Sequence, residues 1–434
     1  MPRYVLIDGF RGFFLVFMLI NHLNGTIPLP FAAVNHAKLG FVEDAQGFVL
    51  LSGVVSGLFY GGLALKKGDA LMRARIHDRV LTILRYHAWV LLAVAVLILA
   101  TGSAAWEAMA PLFYRDFDVA VASAGTLLYQ PTFMDILPMY MIYLALTPAM
   151  IALMRSGRTP ELLAGSVLLW MLAQTGLPGA LASLAEAAVR QAVPAFEIRW
   201  GFDPLGWQVL FVFGVWVGFG MSSGRIDPAA WVRTHCRGLF LLLTGGALFF
   251  LAVKLVFKLE LLGPGFSEAF GGSFVRFHFS VLHVVNFLVY LGLVLWLLIL
   301  GPESPWAPVR VLARLMDRFF RLPWLVFLGQ HSLQVYAWHV LVVYLAAWLV
   351  TWTGDPGPVV ASGIGLVALA SLTLPAWLHA RSRPPKRPAP AATTAPKASP
   401  KSAPMGASPG GASPVGAAPV SAGMVPDGGL GEGR

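Results

Sequence analysis

Residues 5–23 read VLIDGFRGFFLVFMLINHL, an apolar run interrupted by one acid, one arginine and one histidine. A helix needs about 20 predominantly apolar residues to cross a bilayer core, and similar runs recur along the 434-residue chain. The ten candidates are 5–23, 41–65, 80–101, 135–154, 161–177, 205–221, 237–257, 276–300, 323–350 and 357–379. The mean hydropathy of +0.71 lies outside the range of soluble proteins. The sequence therefore predicts an all-α integral membrane protein with about ten transmembrane helices.

Basic residues are unevenly distributed among the loops between these runs. The loops after the second, fourth, sixth and eighth runs hold 14 Lys and Arg residues, whereas the intervening loops hold seven. Positive charge is retained on the cytoplasmic side of a membrane, so this alternation predicts that both chain ends lie in the cytoplasm (N-in, C-in). The formal net charge of +10 then reflects topology and indicates no nucleic-acid partner. We expect a multi-pass protein embedded in the lipid bilayer of the bacterial inner membrane.

The composition divides the chain into a membrane domain at 1–380 and a tail at 381–434. From Arg381 onward the sequence is rich in Pro, Ala, Ser and Gly and poor in large apolar residues. Such a segment cannot bury enough apolar surface to order itself, which predicts a disordered cytoplasmic tail. The outward loop at 178–204 is expected to carry a short amphipathic helix, because Leu181 and Leu184 are helically spaced.

Three ionisable residues interrupt the first apolar run. Asp8, Arg11 and His22 fall on a single stripe of a helix, and Arg11 and His22 are about 16 Å apart along its axis. Ionisable groups within a bilayer are costly and usually face a cavity or a partner. An Asp8–Arg11 pair that anchors the helix end would explain those two residues but not His22. The stripe therefore predicts a polar line across much of the membrane.

The second and third runs carry charged groups at their ends. Asp44 follows a short outer loop after His22, and a carboxylate near an imidazole can orient it as a general base; the alternative is a loop acid in solvent. Arg75, Arg79, Arg85 and His87 lie at the start of the third run. Arg75 and Arg79 could simply be part of the positive charge that keeps this loop in the cytoplasm. Alternatively, guanidinium groups that reach a cavity would suit the binding of phosphate or pyrophosphate.

The ninth run is unusually polar for a membrane helix, with His331, Gln334 and His339 among its residues. We interpret these side chains as cavity-lining groups. The histidines of the chain are dispersed and have no Cys or close carboxylate ligands beside them, so no metal site is predicted.

Five segments in order along the chain resemble the OpgC-like glucan succinyltransferase family, which is related to the family-three membrane acyltransferases. They are Asp8-Gly9-Phe10-Arg11-Gly12 with Asn21-His22, residues 43–53, residues 79–87, Phe202-Asp203-Pro204-Leu205-Gly206-Trp207-Gln208, and residues 328–339. An arginine followed eleven residues later by a histidine is the first-helix motif of the wider superfamily, and Arg11 and His22 meet it.

The resemblance implies that an acyl group, succinyl in the best-known case, passes from cytoplasmic acyl-CoA to a hydroxyl of a periplasmic glucan. Acyl-CoA would be a co-substrate, with no bound cofactor. The expected catalytic residues are His22, Asp44 and Arg11. Donor contacts would come from Arg75, Arg79, Arg85 and His87. The cavity would be lined by Trp207, Gln208, His331, Gln334 and His339.

Two other classes of protein share this composition. A transporter or flippase for a glycan or an organic acid would also need buried Arg and His in a helical bundle. A structural membrane subunit is a third alternative, against which the costly polar stripe argues. Release of free CoA thiol distinguishes an acyltransferase from both. The oligomeric state stays open.

Overall fold

The computed structural model describes residues 4–263, 265–266 and 276–382, and this part of the chain is helical without a strand. The main helices are α1 (Val5–Asn24), α2 (Asp44–Lys67), α3 (Asp69–Thr101), α4 (Ile136–Arg155), α5 (Thr159–Gln174), α6 (Leu177–Arg190), α7 (Pro204–Ser222), α8 (Phe240–Lys258), α9 (Val281–Ile299), α10 (Ala307–Phe320), α11 (Pro323–Gln330), α12 (Ser332–Thr353), α13 (Gly357–Ser371) and α14 (Thr373–Ser382). Shorter helices lie at Pro30–Ala33, His36–Lys38, Ala105–Met109, Pro111–Arg115, Phe117–Gly125, Pro228–His235, Arg237–Leu239 and Gly301–Glu303. The predicted all-α class is confirmed.

The number of helices that could span a membrane also agrees with the sequence. Within the described ranges, nine helical stretches are long and apolar enough to cross a bilayer, and α5 with α6, which are bent by 63°, would make a tenth. α6 provides the helix expected in the outward loop, and Leu181 and Leu184 are exposed on it. The predicted tail lies outside the described residues from position 383 onward.

Several of the predicted spans differ from the structure at their boundaries, and α3 begins at Asp69 rather than at 80. The ninth is divided into α11 and α12 at His331, whose backbone leaves the helical range with φ −115° and ψ 29°. The tenth is divided into α13 and α14 at Leu372, and α9 begins at Val281 rather than at 276. A count of apolar residues does not register such breaks, because mainly apolar segments lie on both sides of His331 and of Leu372.

Small residues allow the helices that carry the polar groups to pack closely. A Cβ on Gly12 of α1 would lie 1.9 Å from the carbonyl oxygen of Leu325 in α11. A Cβ on Gly53 of α2 would lie 2.3 Å from the carbonyl oxygen of Phe211 in α7. Glycines at such contacts are typical of membrane helix pairs, because they let the backbones approach one another. Close packing at these glycines therefore fixes the position of α1 along α11 and the position of α2 along α7.

Paired contacts give the relative directions of the helices around the polar core. Arg11 and His22 of α1 contact Ser332 and His339 of α12 in the same order, so these two helices run in the same direction.

α3 also runs parallel to α12, because Tyr86–Gln334 and Ser103–Thr351 are hydrogen bonds with the same sequence separation of 248 residues. If successive spans cross the membrane in alternating directions, the first, third and ninth spans must all run the same way. The parallel directions of α1, α3 and α12 agree with this.

Candidate active site

A cavity of about 490 Å³ lies where the C-terminal end of α1 meets the N-terminal end of α2. The segments that precede α4 and α7 complete its wall. Its polar lining residues are Asn21, His22, Glu43, Asp44, Gln130, Thr132, Asp135, Arg199 and Arg276, and its aromatic ones are Phe133, Phe202 and Tyr336. The cavity therefore combines charged groups, amides and ring faces around one histidine.

His22 belongs to a chain of hydrogen bonds that fixes its protonation. Its Nδ1 lies 3.2 Å from Nε2 of His339, and Nδ1 of His339 lies 2.5 Å from the carbonyl oxygen of Tyr336. A carbonyl oxygen only accepts, so His339 carries its proton on Nδ1 and, when neutral, accepts at Nε2. His22 must then donate from Nδ1, which leaves its Nε2 unprotonated. The ring that lines the cavity thus has one basic nitrogen.

Phe133 covers one face of this imidazole. The two ring centroids are 3.8 Å apart with planes inclined at 18°. Phe133 has φ 71°, a left-handed conformation that is unfavourable for a bulky residue, and its carbonyl oxygen accepts a hydrogen bond of 2.7 Å from the Tyr336 hydroxyl. Tyr336, which is buried, thus holds His339 through its carbonyl group and Phe133 through its hydroxyl. Strain of this kind persists where the surroundings over-determine the backbone, often at functional sites.

Asp44 lines the cavity, but the structure differs from the expectation that it orients His22, since His339 takes that place. Asp44 Oδ2 accepts a hydrogen bond of 2.6 Å from Asn21 Nδ2, and Oδ1 lies 3.3 Å from Nε2 of His36. Burial lowers the pKa of His36 to about 4, so its imidazole is uncharged near neutral pH. Asp44 therefore links α1, α2 and the loop between them.

Two further carboxyl groups face the cavity. Oδ1 of Asp135 accepts a hydrogen bond of 2.6 Å from the backbone of Gly201, and burial raises the pKa of Asp135 to about 6. Burial also raises the pKa of Glu43, although the positive charge of Arg276, 3.8 Å away, opposes the rise. Both groups can accept hydrogen bonds from a ligand rich in hydroxyls when they are ionised.

The sequence model of the OpgC protein family matches residues 3–384, which include every residue of this cavity. The chain belongs to the OpgC protein family. No curated protein and no solved structure matches it. Family membership indicates a transferase that modifies glucans, with an acyltransferase-like activity. Together with the number of long apolar helices, it indicates a multi-pass membrane protein.

In this OpgC protein, Arg11 lies below the cavity rather than in its wall. Its Nη2 donates a hydrogen bond of 2.6 Å to the hydroxyl of Ser332. It also interacts electrostatically with Asp8, Arg79 and the Tyr140 hydroxyl. Arg11 is therefore part of a polar cluster in the N-terminal half of α1, separate from the imidazole of His22.

The structure separates the four residues that were expected to contact the donor. Arg75 and Arg85 are exposed on α3, and Arg75 lies 4.0 Å from Asp78. Arg79 is half-buried, and its positive charge acts on Arg11. His87 is buried, and neither of its ring nitrogens has a hydrogen-bond partner among the described residues. None of the four lines the 490 Å³ cavity.

A second cavity of about 440 Å³ lies between α3, α12 and α14. Gln334 lines it and donates a hydrogen bond of 3.0 Å to the Tyr86 hydroxyl. His331 lies beside it, with Nδ1 2.8 Å from Nδ1 of His379. Gln334 and His331 were expected in one cavity with His339, but the structure divides them between two regions of the OpgC fold.

Trp207 and Gln208 were also expected to line the cavity, and the structure gives them a packing role instead. Trp207 is fully buried and donates to the carbonyl oxygens of Arg276 and Phe277 at 3.2 and 3.1 Å. Gln208 donates to the carbonyl oxygen of Ser166 and accepts from its hydroxyl, both at 2.7 Å. These bonds join the start of α7 to α5 and to the turn before α9. Both side chains have hydrogen-bond partners within the protein, and neither lines the 490 Å³ cavity.

Several cavity residues were missed by reasoning from the sequence, notably Thr132, Phe133, Arg199 and Arg276. They lie in irregular segments, where periodicity gives no direction for a side chain. The sequence did contain one signal for Arg199 and Arg276. Both are basic residues in loops predicted to face outward, where positive charge is otherwise depleted, so a role in binding could have been suspected.

Among the residues that the structure describes, no group of three or more His, Cys, Asp or Glu side chains could hold a metal ion.

Proposed function

We propose that this protein is an O-acyltransferase of the bacterial inner membrane, which moves a succinyl group from cytoplasmic acyl-CoA to a hydroxyl of a periplasmic glucan. The observation that carries the proposal is the chain from the Tyr336 carbonyl through His339 to His22, at the wall of a polar cavity. A general base must present an unprotonated nitrogen to the hydroxyl that it activates. The Nε2 of His22 meets this requirement.

The lining of the cavity supports a sugar as the acceptor. Carboxyl and amide groups such as Glu43, Asp135 and Gln130 can exchange hydrogen bonds with sugar hydroxyls, and the rings of Phe133 and Phe202 supply apolar faces. Ligand sites commonly combine aromatic walls with a few polar groups that fix orientation. A hydroxyl of the bound glucan would lie at His22.

The transfer itself needs one base and one leaving group. His22 Nε2 takes the proton of the acceptor hydroxyl while the hydroxyl oxygen attacks the carbonyl carbon of the thioester. The carbon–sulfur bond then breaks, and the CoA thiolate leaves with the proton returned by His22. The products are an ester on the glucan and free CoA thiol.

Arg11 is better placed to bind the acyl-CoA donor than to stabilise the negative charge that develops on the reacting carbonyl oxygen. It lies eleven residues before His22 on the same helix, which corresponds to about 16 Å along the axis. An arginine at that distance cannot touch an oxyanion at His22. Arg11 and Arg79 share one electrostatic cluster, and we assign this cluster to the phosphopantetheine arm or the phosphates of the donor.

The sidedness of the reaction follows from the basic loops. The loop around 66–79 is assigned to the cytoplasm because it holds five basic residues. α3 begins at Asp69, which is seventeen residues or about 25 Å before Tyr86 in the membrane core. The cavity at the opposite end of α1 would then open to the periplasm.

Mass spectrometry of periplasmic glucans tests the proposal directly. A strain that lacks the gene should lose the acyl substituents of its glucans, and the wild-type gene on a plasmid should restore them. Unchanged acylation in the deletion strain would contradict the proposal. Loss of the glucans from the periplasm, with unchanged acylation of the glucans that stay inside the cell, would favour the transporter or flippase.

A further inference from the structure

Arg199 is a cation in the cavity wall that makes no ion pair within the described residues. Its neighbour in the cavity, Arg276, lies 3.8 Å from the carboxylate of Glu43. Asp135 interacts with Arg199 electrostatically, but it makes no ion pair with it and already accepts the hydrogen bond from Gly201. A guanidinium without a paired carboxylate can bind an anionic group of a ligand.

The loops that hold Arg199 fix its position. Its backbone N–H donates to the carbonyl oxygen of Leu128 at 3.0 Å, and its carbonyl oxygen accepts from the N–H of Gln130 at 2.8 Å. Its Nη2 donates to the Thr132 hydroxyl at 3.2 Å. A binding group held at both backbone and side chain is preorganised. Thr132 itself lines the cavity, so the guanidinium is held at the same wall.

We propose that Arg199 binds the free carboxylate of a dicarboxylic acyl group while the thioester end of that group lies at His22. This inference rests on the proposed acyl transfer. The planar fork of an arginine matches a carboxylate with two parallel hydrogen bonds. An acyl group without a second carboxylate leaves these donors unsatisfied, and a site built to pair with a polar group rejects an analogue that lacks it. Arg199 therefore selects succinyl over a neutral acyl chain of the same length.

The test compares two donors on the purified full-length protein. Succinyl-CoA and butyryl-CoA have acyl chains of equal length, and only the first has a free carboxylate. Glucans extracted from the deletion strain serve as the acceptor, and free thiol and product mass give the rate with each donor. Wild type should prefer succinyl-CoA. Arg199→Gln should lower the ratio of the two rates by at least about tenfold, the cost of losing one charge-assisted hydrogen bond.

Two further variants sharpen the comparison. Thr132→Val removes the hydroxyl that holds Nη2 of Arg199, and it should lower the ratio by a smaller factor, even where Arg199→Gln fails to fold. Arg115→Gln is the matched control, because Arg115 is an exposed arginine that pairs with Glu197 outside the cavity. Arg115→Gln should leave the ratio unchanged.

The outcomes separate this inference from the function on which it rests. An unchanged ratio in Arg199→Gln and in Thr132→Val would overturn the role of Arg199, whether the two rates stayed the same or fell together. Wild-type transfer of butyryl but not succinyl would also overturn it while leaving acyl transfer established. Transfer of neither group by wild type would overturn the proposed function, and this inference with it.

Discussion

The Nδ1 atom of His22 lies 3.2 Å from the Nε2 atom of His339, and the two imidazoles come from parallel helices. His339 is fully buried and does not line the cavity, whereas His22 does. In the proposed mechanism, His339 acts on a bound ligand only through His22. His339 is then a positioning residue, and His22 is the group that contacts the substrate.

Replacement of His339 tests this division of roles. His339→Ala should lower kcat by about a hundredfold, because His22 loses the acceptor that holds its tautomer; in a Ser-His-Asp triad the comparable loss reaches about 10⁴. KM for the glucan should stay close to wild type. His339→Gln should restore part of kcat, since its side-chain oxygen can accept from His22 Nδ1. A rise in KM with unchanged kcat would contradict a positioning role.

A raised pKa at Asp135 predicts how stability depends on pH. Because burial raises its pKa to about 6, the folded protein keeps a proton that the unfolded chain loses near pH 4. Stability should therefore fall as pH rises through this window, by about 3 kcal/mol in total. Thermal unfolding of wild type and Asp135→Asn in detergent measures the effect. As the pH rises from 4 to 7, Asp135→Asn should become more stable relative to wild type. A difference in stability between the two proteins that does not change with pH would contradict the raised pKa.

The contact between α2 and α7 predicts a sharp difference between two glycines. Gly53→Ala would place a Cβ 2.3 Å from the carbonyl oxygen of Phe211, and it should lower the free energy of unfolding by about 1–3 kcal/mol because the helices must separate. Gly165→Ala on α5 meets nothing within 4 Å and should be neutral or stabilising by up to about 1 kcal/mol. Equal unfolding temperatures for the two variants would show that α2 and α7 are not packed so closely.

Much of this fold was accessible from the sequence, because long apolar runs and alternating basic loops are strong signals of spanning helices. The spacing of Arg11 and His22 also placed both on one helix stripe. The partner of His22 was not accessible, since Asp44 and His339 are both polar residues at the right depth and only packing distinguishes them. The hydrogen-bond partners of Trp207 and Gln208 were not accessible for the same reason. A polar side chain in an apolar run can face a ligand or a neighbouring helix, and one sequence does not separate the two.

Sidedness is tested by single cysteines in a Cys236→Ser background, in which the chain has no other thiol. Lys38 and Lys67 are both exposed; Lys38 precedes the start of α2 by six residues, and Lys67 is its last residue. Lys38→Cys should react with an impermeant thiol reagent in intact spheroplasts, whereas Lys67→Cys should react only after lysis. The reverse pattern would place His22 near the cytoplasm and exclude a periplasmic acceptor at this cavity.

The central claim is that His22 is the base of a glucan acyl transfer, and glucan-dependent release of free CoA thiol by the purified protein measures it most directly. Wild type should release thiol from succinyl-CoA only when glucan is present, and the glucan should gain the succinyl mass. His22→Ala should lower this rate by at least about a hundredfold, as expected for loss of a general base. His235→Ala, at an exposed histidine outside the cavity, should retain the wild-type rate. A His22→Ala protein that folds normally and keeps the wild-type rate would contradict the account.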